Sequence, residues 1–214
     1  GGGTPSTLSA TQINLLIVEV FAQFNVVASP EITIEANPDD LTLAYLKAIK
    51  EIGINRLSIG IQSFQDKELN MMNRVHNGKQ AVQAVIRAKE FFDNISIDLL
   101  FGIPDSNFTD WKETLEIALK LDVPHISSYA LTLEPKTALE HFINKGVISP
   151  LDDEDVEAQF LYLVDSLVQA GYEHYELSSF SKPGYHSRNN TAYWQGKPYL
   201  GIGPSAHGFD GENR

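Results

Sequence analysis

The sequence predicts an α/β fold in which parallel strands curve into a barrel-like sheet of the TIM type, ringed by helices. Three observations predict it. Strand and helix patterns alternate at intervals of roughly 25 to 45 residues, the spacing of parallel crossover connections. Each strand pattern has one aliphatic face and one face of polar and small residues, whereas a flat parallel sheet covered on both sides would be apolar on both. Glu35, Gln62 and Asp98 stand at strand ends, just before turn residues. In a barrel the aliphatic faces pack on outer helices and the polar faces meet in a central cavity. Ligands then bind at the carboxyl ends of the strands.

The first helix is expected over 9–25. Ser9 and Gln12 have capping-box spacing, and Ile13, Leu16, Ile17, Val20 and Phe24 recur with the helical period. Ser29-Pro30 breaks it. Glu31 to Ala36 alternates as a strand, and Asn37-Pro38-Asp39-Asp40 supplies a turn. A helix follows from Thr42 and stops at Gly53, a natural position for glycine. The next strand, Arg56 to Gln62, sets Leu57, Ile59 and Ile61 against Arg56, Ser58, Gly60 and Gln62. Phe64 to Arg74 reads as a loop with a short helix. Asn77 and Gln80 cap a helix that runs to Phe92. Ile95 to Leu100 is a strand, 110–121 a helix, and Ile126 to Leu131 a strand. Helices at 137–145 and 153–170 end at Gly146 and Gly171, and Glu173 to Leu177 is a last short strand. Residues 178–214, rich in Gly, Pro, Ser and Asn, read as irregular.

With 214 residues, 43% of them hydrophobic, the chain can bury one sizeable core. A net charge of −12 argues against broad contact with nucleic acid or an anionic membrane surface. No apolar run approaches the ~20 residues of a membrane span, and no secretory pattern is present, so a cytoplasmic location is expected. The chain has no cysteine, hence no disulfide and no thiolate ligand.

At the carboxyl ends of strands, Glu35 and Asp98 can accept hydrogen bonds from ribose hydroxyls, and Gln62 can donate and accept. On three successive strands they point to a site, although mutual satisfaction of polar groups is the alternative. Arg74 offers a guanidinium fork for a carboxylate, or is a solvated loop arginine. Gly1-Gly2-Gly3-Thr4-Pro5-Ser6 leaves the backbone open to a ligand ahead of a helix start, or the glycines are an expression scar. His207 lies in a glycine-dense segment, Gly201 to Gly208, where the main chain can approach a ligand closely. No two of the six histidines have metal-ligand spacing. The acidic run Asp152 to Asp155 reads as a helix start.

These motifs come in a recognisable order: Gly1-Gly2-Gly3-Thr4-Pro5-Ser6, Glu35-Ala36-Asn37-Pro38, Ser58-Ile59-Gly60-Ile61-Gln62-Ser63-Phe64, Asn73-Arg74-Val75-His76, Asp98-Leu99-Leu100-Phe101-Gly102-Ile103-Pro104, Tyr129 to Pro135, and Tyr193-Trp194 before the glycine segment. Together they resemble the radical SAM family of oxygen-independent coproporphyrinogen III oxidases and the related heme chaperones. Ile61-Gln62-Ser63-Phe64 and Leu131-Thr132-Leu133-Glu134-Pro135 resemble the chaperone branch more. The resemblance implies a partial (β/α)6 barrel over 1–177 that lacks its N-terminal unit. An irregular extension over 178–214 would lead to a further C-terminal domain. It also implies S-adenosylmethionine and a [4Fe-4S] cluster, which together yield a 5′-deoxyadenosyl radical.

Carried over, Gly2, Gly3, Thr4 and Pro5 would hold the methionine end of S-adenosylmethionine, and Glu35 its ribose. Gln62, Arg74, Asp98 and Ala130 match positions for a second S-adenosylmethionine in the oxidases, and His207 falls in the segment that closes over adenine. No catalytic residue and no metal ligand is expected within this stretch. The cluster cysteines should precede Gly1, and without them the chain alone should be inactive. The chaperone motif His-Asn-x-x-Tyr-Trp reads Asn189-Asn190-Thr191-Ala192-Tyr193-Trp194 here. An amide is a poor iron ligand, which leaves His186 as the candidate heme ligand.

Three functions follow, from different classes. The first is a heme chaperone that passes heme to acceptor proteins. The second is an enzyme that decarboxylates coproporphyrinogen III oxidatively. The third is a barrel without a cluster that binds a nucleotide-like ligand.

Overall fold

The computed structural model describes residues 4–133, 135–204 and 206–214. The helices are α1 (Ala10–Gln23), α2 (Leu43–Glu51), α3 (Asp66–Met71), α4 (Gly78–Lys89), α5 (Phe108–Leu121), α6 (Ala138–Asn144), α7 (Asp153–Gln169) and α8 (Arg188–Trp194). The strands are β1 (Thr33–Ala36), β2 (Arg56–Gln62), β3 (Ile95–Phe101), β4 (His125–Ala130), β5 (Glu173–His174) and β6 (Ser179–Ser181). They form one sheet in the order β1-β2-β3-β4-β6-β5, with β1 to β4 mutually parallel. The fold is a partial α/β barrel.

The helix starts follow local chemistry. Ser9 and Gln12 close a capping box on α1, and Asn77 and Gln80 close one on α4. The α5 helix begins before the expected residue because Asn107 Oδ1 accepts from the backbone N–H groups of both Thr109 and Asp110. Gly53 takes φ +97° after α2, a conformation that costs glycine no steric strain. Asp153, Glu154 and Asp155 occupy the first turn of α7, where the helix dipole favours them.

β1 starts later than expected. Its approach is pinned by Asn55, whose Oδ1 accepts from the Ile32 N–H at 2.8 Å. The aliphatic faces of the strands are buried: Leu57, Ile59 and Ile61 on β2, and Ile97 and Leu99 on β3, are all 0% exposed. They pack against Leu46 and Ile49 of α2, Ala84 and Val85 of α4, and Leu163 and Leu167 of α7. Each such side chain contributes roughly 1.5–3 kcal/mol by burial. The opposite strand faces carry the polar residues.

The C-terminal part departs from expectation in two ways. The strand expected over 173–177 is only two residues long and antiparallel. Between Tyr175 and Ser179 the chain reverses, the Tyr175 N–H bonding the Ser179 carbonyl at 3.3 Å. That reversal inserts β6 between β4 and β5, antiparallel to both. The stretch 178–214, read as irregular, thus supplies an inner strand with Phe180 fully buried, and the helix α8. Three residues are too short a run for periodicity to mark as a strand.

Candidate functional site

A cavity of about 1180 Å³ lies over the polar faces of the parallel strands. Its floor carries Thr33 and Glu35 of β1, Arg56 and Ser58 of β2, and Ser96 and Asp98 of β3. Ser127 and Tyr129 of β4 extend it. One wall is the segment from Thr4 to Leu8, and another is the start of α8 with Arg188 and Asn189. Ile202, Gly203 and Pro204 close a third side.

The first wall is tied to the sheet. Ser6 Oγ donates to Asp40 Oδ2 at 2.6 Å and accepts the Asn37 N–H at 3.2 Å. This bond pair sets Thr4-Pro5 beside the end of β1. The expected residues Gly2 and Gly3 lie outside the described residues.

Glu35 faces the cavity, and its carboxylate takes no hydrogen bond from the protein among the described residues. Asp98 is bound by Ser58, whose Oγ lies 3.2 Å from both of its oxygens. Burial pushes the Asp98 carboxyl from the ordinary 3.8 up to about 7. The Ser58 hydrogen bond opposes that rise, the Glu35 charge adds to it, and the Arg56 charge opposes it. Arg56, 3% exposed, is held by the Asn94 side chain, and burial lowers its proton affinity against the pull of Glu31, Tyr175 and Asp98. The cavity thus pairs two carboxylates with a buried guanidinium and a row of serine hydroxyls. Such a surface suits a polar ligand with both hydroxyls and charges.

Glu35, Gln62 and Asp98 are not level with one another. Glu35 pairs with Ser58 and Ser58 with Ser96, so Asp98 stands two residues further along. Gln62 is further still, beyond a register shift between Ile59 and Gln62, and takes φ +68°. The irregularity turns its side chain back over Gly60. Arg74 joins it there: Nη2 donates to Asn37 Oδ1 at 2.9 Å and to the Gly60 carbonyl at 3.0 Å. Gln62 and Arg74 are therefore beside the rim of the cavity and not in its lining. Ala130 ends β4, exposed, paired with Phe101.

Two of the expected histidines stand away from the main cavity, although Ile202, Gly203 and Pro204, neighbours of His207 in its segment, close it. His186 Nε2 bonds Glu173 Oε2 at 2.7 Å, and its ring stacks on Tyr175 at 4.2 Å. His207 lines a second cavity, of about 750 Å³, on the far side of Ile202. Neither lines the main one.

The main cavity also has residues that the patterns did not mark. Below its floor, His125 is 0% exposed, with Nδ1 2.7 Å from Ser96 Oγ and Nε2 2.7 Å from the Tyr175 hydroxyl. A neutral imidazole has one donor and one acceptor nitrogen, so one hydroxyl donates to it and the other accepts. Burial, then the Arg56 and His186 charges, push His125 down to about 3. Tyr175 also accepts the Ser187 N–H at 3.2 Å, which ties this buried chain to the start of α8. The alternation of Arg56-Leu57-Ser58 and of Ser127-Ser128-Tyr129 was the available signal for the serines and Tyr129. Nothing local marked His125, whose partners are 29 and 50 residues away.

Among the described residues no group of three or more His, Asp or Glu could hold a metal ion, and the chain has no cysteine. The residues present do not fit an iron–sulfur cluster. They do fit S-adenosylmethionine, whose hydroxyls and charges match the unpartnered Glu35 carboxylate and the serine-lined floor. No described helix is long and apolar enough to cross a membrane.

Comparisons with known proteins bear on the family and the fold. Residues 1–118 match the radical SAM superfamily. The chain is 40% identical to the heme chaperone HemW of Bacillus subtilis, over 100% of this chain and 57% of that protein. It is 37% identical to HemW of Escherichia coli, over 97% of this chain and 54% of that one. Among solved structures it is similar to the coproporphyrinogen III oxidase HemN of Escherichia coli, a radical SAM enzyme. There the TM-score is 0.82 and the identity 25%, over 99% of this chain and 51% of that chain. The chain spans about half the length of the curated relatives it matches. It belongs to the radical SAM superfamily, in the branch of the heme chaperones and the coproporphyrinogen III oxidase, and that membership implies S-adenosylmethionine and a [4Fe-4S] cluster.

Proposed function

We propose that the protein is a cytoplasmic radical SAM protein of heme metabolism that binds heme and transfers it to acceptor proteins. The observation that carries this reading is likeness to heme chaperones along essentially the whole chain. In this reading the main cavity takes S-adenosylmethionine. Thr4 and Pro5 lie against its methionine end, a role the resemblance extends to Gly2 and Gly3, and Glu35 accepts from its ribose. Gln62, Arg74, Asp98 and Ala130 are the candidates for holding a second molecule, Asp98 from the cavity floor and the others from beside its rim. Beside an iron–sulfur cluster, S-adenosylmethionine held by these residues would be a source of radical chemistry. The cluster ligands are not among this chain's residues. We further assign 1–177 to the barrel core and 178–214 to an extension that adds the inner strand β6 to its sheet and closes it.

A second reading, oxidative decarboxylation of coproporphyrinogen III, is favoured by the fold match with the oxidase over 99% of this chain. One experiment separates the two. The full-length protein is reconstituted anaerobically with iron and sulfide, given S-adenosylmethionine, reductant and coproporphyrinogen III, and assayed for protoporphyrin fluorescence after oxidation. Repeated turnover establishes the oxidase and removes the chaperone reading. Absence of product, together with saturable heme binding and transfer to an apo-hemoprotein, is the result expected here.

A further inference from the structure

The second cavity lies across Ile202 from the first, and α8 reaches both: its start faces the main cavity and its end, Tyr193-Trp194, faces the second. Its other wall is a two-stranded turn. Tyr199 and Phe209 exchange N–H···O bonds of 2.8 Å in an antiparallel bridge. The turn is tight. A side chain on Gly201 would stand 2.2 Å from the His207 carbonyl oxygen, so only glycine allows the two segments to lie this close. That contact fixes the backbone of His207 at the cavity edge.

The lining has an unusual combination of chemistry. Tyr193 and Tyr199 meet edge to face at 4.4 Å, and Phe209 lies 6.1 Å beyond Tyr199. Trp194 is 64% exposed, its indole N–H held by Glu176 at 3.0 Å. Beside these rings stands the His207 imidazole, exposed and without a hydrogen bond among the described residues. Lys197 and Arg214 add two cations to the same lining, in a chain whose net charge is −12. An aromatic wall selects a flat, largely apolar ligand. Lysine and arginine at its edge select carboxylates on that ligand. A free imidazole selects a metal within it. A volume of about 750 Å³ falls in the range of small-molecule and cofactor sites.

We propose that this second cavity binds an iron tetrapyrrole, with His207 as axial ligand and Lys197 and Arg214 facing its carboxylates. The identity of the ligand rests on the chaperone reading; the location and the ligating residue do not. The main cavity is left to S-adenosylmethionine, and His186, already paired with Glu173 and stacked on Tyr175, is not the iron ligand.

The test is a hemin titration of the protein, read by the Soret band and by quenching of tryptophan fluorescence, for wild type, His207→Ala and His186→Ala. His207 is exposed, so its removal leaves the core intact, which circular dichroism checks. Wild type is expected to bind saturably. His207→Ala is expected to shift the Soret band and weaken binding at least tenfold, while His186→Ala titrates like wild type. Lys197→Ala with Arg214→Ala is expected to weaken binding without moving the band. Saturable binding that is unchanged in His207→Ala, or that fails in His186→Ala instead, overturns the inference and leaves the chaperone reading intact. Absence of saturable hemin binding by wild type removes both.

Discussion

The Ser58 hydroxyl sits 3.2 Å from both oxygens of Asp98, on a floor that also holds the Glu35 carboxylate. One neutral hydroxyl offsets little of the burial of a carboxylate. Asp98 therefore keeps its proton up to about pH 7, where an unfolded aspartate has lost it near 3.8. Between those values the folded state binds more protons than the unfolded state, so the Asp98 contribution to stability falls as pH rises through the window. Asp98→Asn should melt higher than wild type at pH 8, with the difference shrinking toward pH 4. Thermal unfolding followed by circular dichroism at both pH values checks this, and a constant difference would contradict it.

His125 gives the opposite slope. Its neutral imidazole bonds Ser96 and Tyr175 and refuses a proton down to about pH 3, whereas the unfolded residue takes one near 6.5. The unfolded state gains protons first as pH falls, so this contribution is present above pH 6.5 and is lost toward 3. His125→Gln should be less stable than wild type at pH 7 and should lack that part of the acid loss. Urea midpoints measured from pH 7 to pH 4 provide the comparison.

Glu35→Ala should weaken S-adenosylmethionine binding by about 1–3 kcal/mol, the worth of hydrogen bonds to a charged acceptor. Calorimetry on the cluster-loaded, full-length protein measures it. Unchanged affinity would remove Glu35 from the site.

Arg74 bridges Asn37 and the Gly60 carbonyl, so it joins the turn after β1 to the end of β2. Arg74→Ala should destabilise the fold by about 1–3 kcal/mol, since a carbonyl and an amide lose a charged partner. Arg74→Lys should recover only part, because an ammonium lacks the fork. Equal stability of all three proteins in urea would show that the bridge carries no weight.

Ile97→Ala should cost about 2–5 kcal/mol, because a fully buried side chain in the centre of the sheet leaves a cavity that its neighbours cannot fill. A urea melt of the variant measures it, and a loss under 1 kcal/mol would mean that the core collapses around the gap.

Much of this protein could be read from local patterns. Capping boxes at Ser9 and Asn77, glycine at 53, and the two-residue alternation of Leu57, Ile59 and Ile61 act within a few residues, so sequence carries them directly. The same alternation put Glu35 and Asp98 on a cavity face, as the structure has them. Tertiary structure alone decided the rest. The irregularity before Gln62 took that residue off the cavity floor, because a register shift depends on the neighbouring strand. The insertion of β6 and the burial of His125 between Ser96 and Tyr175 join residues tens of positions apart. Their energies come from hydrogen bonds made only once the sheet is assembled, and no window along the chain contains both partners.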